Sequence, residues 1–158
     1  MNSILIWHTY ISTQAKQLCI HNNLELKFIT QLTTIQNTLF DIGFHVATPK
    51  ASKQHNSFHP QYTHTLEVWI DEMENSLKAL ESFILPDGGN ASSYLHICRA
   101  VCRRAERTLV PLLENEELES EIFAFMNRLG DYLFVLARTV CQKQGMAETK
   151  WEKESMRK

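Results

Sequence analysis

No glycine or proline interrupts the chain before Gly43, and its 158 residues hold only five glycines and four prolines. So few turn-forming residues cannot punctuate many short strands, which leaves a few long helices as the expected architecture. Apolar spacing agrees. Ile4, Trp7, Ile11, Ala15 and Leu18 keep a helical stripe, and Phe28, Leu32, Ile35, Leu39 and Ile42 keep a second one that Gly43 is placed to stop. From Thr48 to Thr63 periodicity fails around two prolines, the pattern of a loop. Leu66, Trp69, Ile70, Met73, Leu77 and Leu80 predict a third helix ending before the turn Pro86-Asp87-Gly88-Gly89. A fourth, capped by Asn90, Ser92 or Ser93, carries Leu95, Cys98, Cys102, Ala105, Leu109 and Leu112. A fifth carries Ile122, Phe125, Leu129, Tyr132, Leu136 and Val140. The charged stretch from Gly145 reads as a frayed tail. The fold class expected is all-α, a bundle of four helices plus a less regular first one.

Several function classes are disfavoured at once. Sixteen basic residues against eighteen acidic ones give a net charge of −2, a poor base for general nucleic-acid binding. Cys19, Cys98, Cys102 and Cys141 form no Cys-x-x-Cys pair, so they read as reduced thiols rather than a zinc ribbon or redox site. No apolar run reaches the ~18 residues of a membrane span. The N-terminus shows no signal or transit peptide. His55, His59 and His64 lack a cysteine or carboxylate at ligand spacing, so they read as a polar loop and no metal site is expected. Gly88-Gly89 lacks the Gly-Lys-Ser/Thr of a phosphate-binding P-loop, and no nucleophile–histidine–acid constellation can be placed.

The fourth helix carries the chemistry. Arg99, Arg103, Arg104 and Arg107 fall within nine residues, and Arg99, Arg103 and Glu106 share a stripe about 100° from the apolar seam. Guanidinium groups on that edge offer forked, permanently charged donors to a polyphosphate. The competing explanation is a solvated face on which Glu106 pairs with Arg103. The fifth helix offers Asn127, Asp131, Phe134 and Arg138 as a facing stripe. Asn127 suits a ribose or adenine edge, or a neighbouring helix, and Asp131 suits an anchor for Arg128. His96 and the Cys98–Cys102 pair read as packing residues.

Three blocks resemble one family. They are Phe83-Ile84-Leu85-Pro86-Asp87-Gly88-Gly89, then Leu95-His96 with Arg99-Ala100-Val101-Cys102-Arg103-Arg104-Ala105-Glu106-Arg107, then Met126-Asn127-Arg128-Leu129-Gly130-Asp131-Tyr132-Leu133-Phe134-Val135-Leu136-Ala137-Arg138. Together with Ile35 to Gly43 they resemble the PduO-type ATP:cob(I)alamin adenosyltransferases, in wording most like the animal mitochondrial branch. The resemblance spans residues 25–145, between a divergent segment 1–24 and a charged tail 146–158.

The resemblance implies a five-helix bundle that forms a homotrimer with active sites between subunits. It implies transfer of the 5′-deoxyadenosyl group of ATP, carried with Mg2+, to cob(I)alamin, with release of triphosphate. Arg103, Arg104, Glu106, Arg107 and Asn127 would bind ATP, Arg103 being the catalytic charge stabiliser. Phe83 would face the corrin and help displace its lower ligand, and Arg99 would pair with an aspartate of the neighbouring subunit. The compartment implied is the mitochondrion, and an adenosylcobalamin-dependent mutase would accept the product. No nucleic acid or membrane partner is expected. Three departures stand out. The family's Thr-Gly-Asp-x-Gly-x-Thr phosphate loop and the aspartate of its first helix have no counterpart in residues 1–24, and Gly130 stands where serine is usual. The expectation is a family member whose start has been removed or replaced. It would be either an enzyme or an impaired relative that binds cobalamin or assembles with full-length subunits.

Overall fold

The computed structural model describes residues 13–14, 16–22, 24–48 and 57–153. Ile4, Trp7, Ile11, Ala15 and His55 lie outside them. Four long helices follow the predicted seams: α1 (Leu26–Ala47), α2 (Gln61–Glu74), α3 (Gly89–Glu114) and α4 (Ser120–Lys143). Residues 13–14 and 16–21 are helical as well, which completes an all-α, five-helix bundle. This first helical stretch is tied to α1 by polar contacts: Lys16 Nζ donates to Thr33 Oγ1 (3.2 Å) and Gln36 Oε1 (3.3 Å), and Gln36 Nε2 donates to Thr13 Oγ1 (2.7 Å). Among the described residues the only strand-like feature is one antiparallel bridge, Ile84–Lys150.

The core is built from the periodic positions. Phe28, Leu32, Ile35, Leu39 and Ile42 of α1 meet Leu66, Ile70 and Met73 of α2, Leu95, Cys98, Cys102, Ala105 and Leu109 of α3, and the α4 seam. Each fully buried Leu, Ile or Phe contributes roughly 1.5–3 kcal/mol. The α4 helix is more than amphipathic. From Tyr132 to Cys141 every residue except half-buried Phe134 is buried, so α4 is the bundle's central helix, apolar nearly all round.

Three expectations are corrected. The helix through Leu66 stops at Glu74, not near Leu80. Asn75 and Ser76 are weak helix formers, and the Ser76 hydroxyl donates to the Met73 carbonyl (2.8 Å). The carbonyls of Ser76 and Lys78 are then taken by Gln142 and Arg138 of α4 (3.2 and 2.8 Å) instead of by a further helical turn. The α3 helix is capped by Gly88, not by Asn90, Ser92 or Ser93. Gly88 has φ +97°, and a Cβ there would sit 2.6 Å from Cys141 Sγ, so both the turn and the close approach of α4 require glycine. Ser92 instead donates to the Asp87 carbonyl (2.7 Å). Finally, the tail is ordered through Lys153. It runs back antiparallel to residues 83–85, with Leu85 N–H donating to Thr149 O and Trp151 N–H to Phe83 O, both at 2.8 Å.

Candidate functional site

The α3 and α4 helices pack antiparallel, and of the predicted α4 stripe Asn127 and Phe134 meet the α3 stripe along that seam, while Asp131 and Arg138 do not. Glu106 Oε1 accepts from Asn127 Nδ2 at 2.8 Å. One turn toward the start of α3, Arg103 lies against Gly130, where an added Cβ would meet Arg103 Cγ at 3.9 Å. That is ordinary contact, so the serine usual at this position fits equally well. Another turn along, the Arg99 guanidinium lies 5.1 Å from the centre of the Phe134 ring. Cys102 Sγ donates to the Met126 carbonyl (3.3 Å) within the same seam. Residues three and four apart on each helix thus form successive rungs.

Arg103, Arg104 and Arg107 are exposed. Among the described residues no carboxylate forms an ion pair with any of the three, and Glu106 is engaged by Asn127 instead of Arg103. A salt-bridged face does not describe this helix. Arg99 differs from the others: it is half-buried, and its Nε is buried without a hydrogen bond among the described residues. Asp131 does anchor Arg128 (3.1 Å), and Arg128 also reaches Glu67 on α2 (3.4 Å). Arg138 leaves the expected stripe altogether and is buried against the tail.

Phe83 is 78% exposed, on the irregular segment between α2 and α3. It belongs to the end of the bundle where α3 begins and α4 finishes. Arg103 stands fourteen residues along α3 from Gly89, about 21 Å at 1.5 Å per residue. The arginine row therefore stands well along α3 from the end at which the segment carrying Phe83 joins it. Sequence reasoning missed Trp151, whose indole meets the Phe83 ring edge-on (6.3 Å, 86°). No periodicity marks it, and the charges around it suggest a solvated tail.

The remaining polar groups in the seam are not poised for catalysis. Burial pushes the Cys98 thiol up to about 12 and raises Cys102 further, with Glu106 adding to the latter. Both stay protonated, as core residues do. Among the described residues no cluster of His, Cys, Asp and Glu could hold a metal ion, and no helix is long and apolar enough to cross a membrane. His59 and His64 are exposed.

His96 is half-buried, edge-on to Phe134 at 6.1 Å. Burial first, then the Arg99 charge, holds its imidazole below the ordinary range, while Glu148 pulls weakly the other way. The unfolded chain therefore takes up this proton before the folded chain does. Stability from this group is present above about pH 6.5 and is lost as pH falls through the lowered folded value. Urea melts at a series of pH values are expected to show that fall, and His96→Phe to flatten it.

A helical bundle with an open arginine row on one helix and an Asn–Glu pair beside it offers forked cationic donors suited to a polyanion. Comparison with known proteins is more specific. The family model for cobalamin adenosyltransferase matches residues 6–140, and the chain belongs to that family. The match begins well before residue 25, where the resemblance in the motifs starts. The corrinoid adenosyltransferases MMAB of Bos taurus and Homo sapiens are 44% identical over 134 residues and 47% over 128. These alignments cover 82% and 77% of this chain but 56% and 50% of the relatives, so the chain spans about half their length. The corrinoid adenosyltransferase of Bacillus subtilis is 36% identical over 126 residues, covering 80% of this chain and 65% of that one. Among solved structures, a variant PduO-type ATP:corrinoid adenosyltransferase from Lactobacillus reuteri complexed with cobalamin and ATP superposes with a TM-score of 0.87. It is 29% identical, and the match covers 96% of this chain and 84% of that one.

Proposed function

We propose that this protein transfers the 5′-deoxyadenosyl group of ATP to cob(I)alamin. The observation that carries this is the row of Arg103, Arg104 and Arg107, un-neutralised by any described carboxylate, beside the Glu106–Asn127 pair. The reaction joins cobalt to C5′ using the cobalt lone pair. The C5′–O bond breaks, and its electrons leave on triphosphate. Because cob(I)alamin is itself the nucleophile, the protein needs no strong base. Its task is to hold ATP, orient C5′ and stabilise charge on the leaving group.

Arg103 would do most of that stabilisation, its stem seated over Gly130. Arg104 and Arg107 would take further phosphate oxygens, and Mg2+ would arrive with the nucleotide. Asn127, held by Glu106, would face the nucleoside. Phe83 would meet the corrin, with the ring exposed to do so.

The axial separation of about 21 Å between the start of α3 and Arg103 favours a site completed by a second copy. So do the exposed Phe40 and Phe44 of α1 and Ile97 of α3. A homotrimer with sites between subunits accounts for all of these, and an aspartate of the neighbouring subunit would pair with half-buried Arg99. The bovine, murine and human relatives support a mitochondrial setting, where an adenosylcobalamin-dependent mutase would accept the product.

An anaerobic assay with ATP and chemically reduced cobalamin tests the activity. Growth of the visible spectrum of the cobalt–carbon product is expected. Bound cobalamin without product would overturn the activity and leave a cobalamin-binding relative that assembles with other subunits.

A further inference from the structure

Phe83 has almost no core contact to fix it. The residue is 78% exposed and sits on irregular chain. What defines its place is the tail. Phe83 O accepts Trp151 N–H, Leu85 N–H reaches Thr149 O, and the Thr149 hydroxyl donates to Asp87 Oδ2 at 2.6 Å. Trp151 then abuts the ring edge-on. The tail, in turn, is anchored by a buried arginine. Arg138, 6% exposed on α4, donates through Nε to Glu148 Oε1 (2.6 Å) and through Nη2 to Glu148 Oε2 (3.4 Å). The same Nη2 donates to the Lys78 carbonyl (2.8 Å). One guanidinium thus clamps the tail and the segment leading to Phe83 onto the central helix.

We propose that Arg138 is a positioning residue for Phe83, acting through Glu148 and the tail to hold that ring in a fixed orientation. This rests on Phe83 being the residue that meets the corrin. A binding group must be held to within about 0.5 Å by supporting contacts, and a ring this exposed draws that support from the tail contacts that the clamp anchors. Arg138 is buried against Glu148 and the Lys78 carbonyl, so its loss should leave the exposed arginine row on α3 unaffected.

The test compares the parent chain with Arg138→Gln and with Glu148→Gln. The second variant changes only the partly exposed end of the pair and guards against misfolding of the first. Native-state hydrogen exchange should show protection of the Leu85 and Trp151 amides falling at least about tenfold, as expected for losing a charge-assisted tie, while α3 and α4 amides keep theirs. With ATP bound, the yield of four-coordinate cob(II)alamin, read by its magnetic circular dichroism, should fall, and the KM for cobalamin should rise. ATP affinity should not change. Unchanged amide protection in both variants would overturn the clamp. Lost protection with an unchanged four-coordinate yield would overturn its link to Phe83. If the parent itself forms no four-coordinate species, the corrin role of Phe83 fails, and the amide arm still decides whether Arg138 holds the segment.

Discussion

Arg103→Ala is expected to abolish adenosylation while the chain stays folded. The side chain is exposed, with its stem near Gly130 on α4, so its removal leaves no cavity in the core. Alanine is also the strongest helix former. Far-ultraviolet circular dichroism and the melting temperature should therefore match the parent. The loss falls on the transition state, where a preorganised donor aimed at developing charge contributes about 2.7–4 kcal/mol, or 10²–10³ in rate. Arg103→Lys should recover part of that, because the charge persists while the forked geometry is lost. Single-turnover kinetics with saturating ATP would separate this effect from weaker binding. An unchanged rate in Arg103→Ala would remove the residue from the site.

The second large effect is structural. Tyr132 is fully buried at the centre of α4, its ring 5.9 Å from that of Trp69 and its hydroxyl 2.9 Å from Gln31 Oε1 on α1. Tyr132→Ala removes an aromatic ring from a closed core, which costs about 3–5 kcal/mol. For a chain of this size that lowers the melting temperature by roughly 6–20 °C. Tyr132→Phe keeps the ring but strands the Gln31 carbonyl, at about 1–3 kcal/mol. Adding Gln31→Leu should return much of that second loss, because both polar partners are then gone. Urea titrations of the three variants check the order, and equal stability of Tyr132→Phe and the parent would show that the hydrogen bond contributes nothing.

Residues such as Leu32, Leu95 and Leu129 could be placed from sequence because burial against one neighbour imposes a period of 3.6, and nothing local opposes it. The rungs between α3 and α4 were half legible. Arg99, Arg103 and Glu106 declare a shared stripe, and Asn127, Asp131, Phe134 and Arg138 suggest another, but only packing shows that Asn127 and Phe134 meet the first while Asp131 and Arg138 turn elsewhere. The depth of α4 was not legible. Thr139 and Arg138 are polar, yet both are buried, Thr139 bonded to the Val135 carbonyl and Arg138 to Glu148 of the tail. Leu77 and Leu80 continue the apolar spacing of α2, but tertiary bonds from Gln142 and Arg138 capture the carbonyls there and end the helix. The tail is the extreme case. Its order comes from one buried ion pair, the Thr149–Asp87 bond, the Trp151–Phe83 contact and a few backbone bonds, and none of these leaves a periodic trace.

The antiparallel return of residues 149–151 also has a practical side. It brings the chain's last described stretch beside the ring of Phe83. Any affinity handle, fluorescent protein or surface linker joined shortly after Trp151 would be tethered at the rim of the exposed phenylalanine, where it would compete for the space a bulky ligand needs. Immobilising the protein by that end would occlude this face, while leaving the arginine row on α3, some 21 Å along the helix, open to solution.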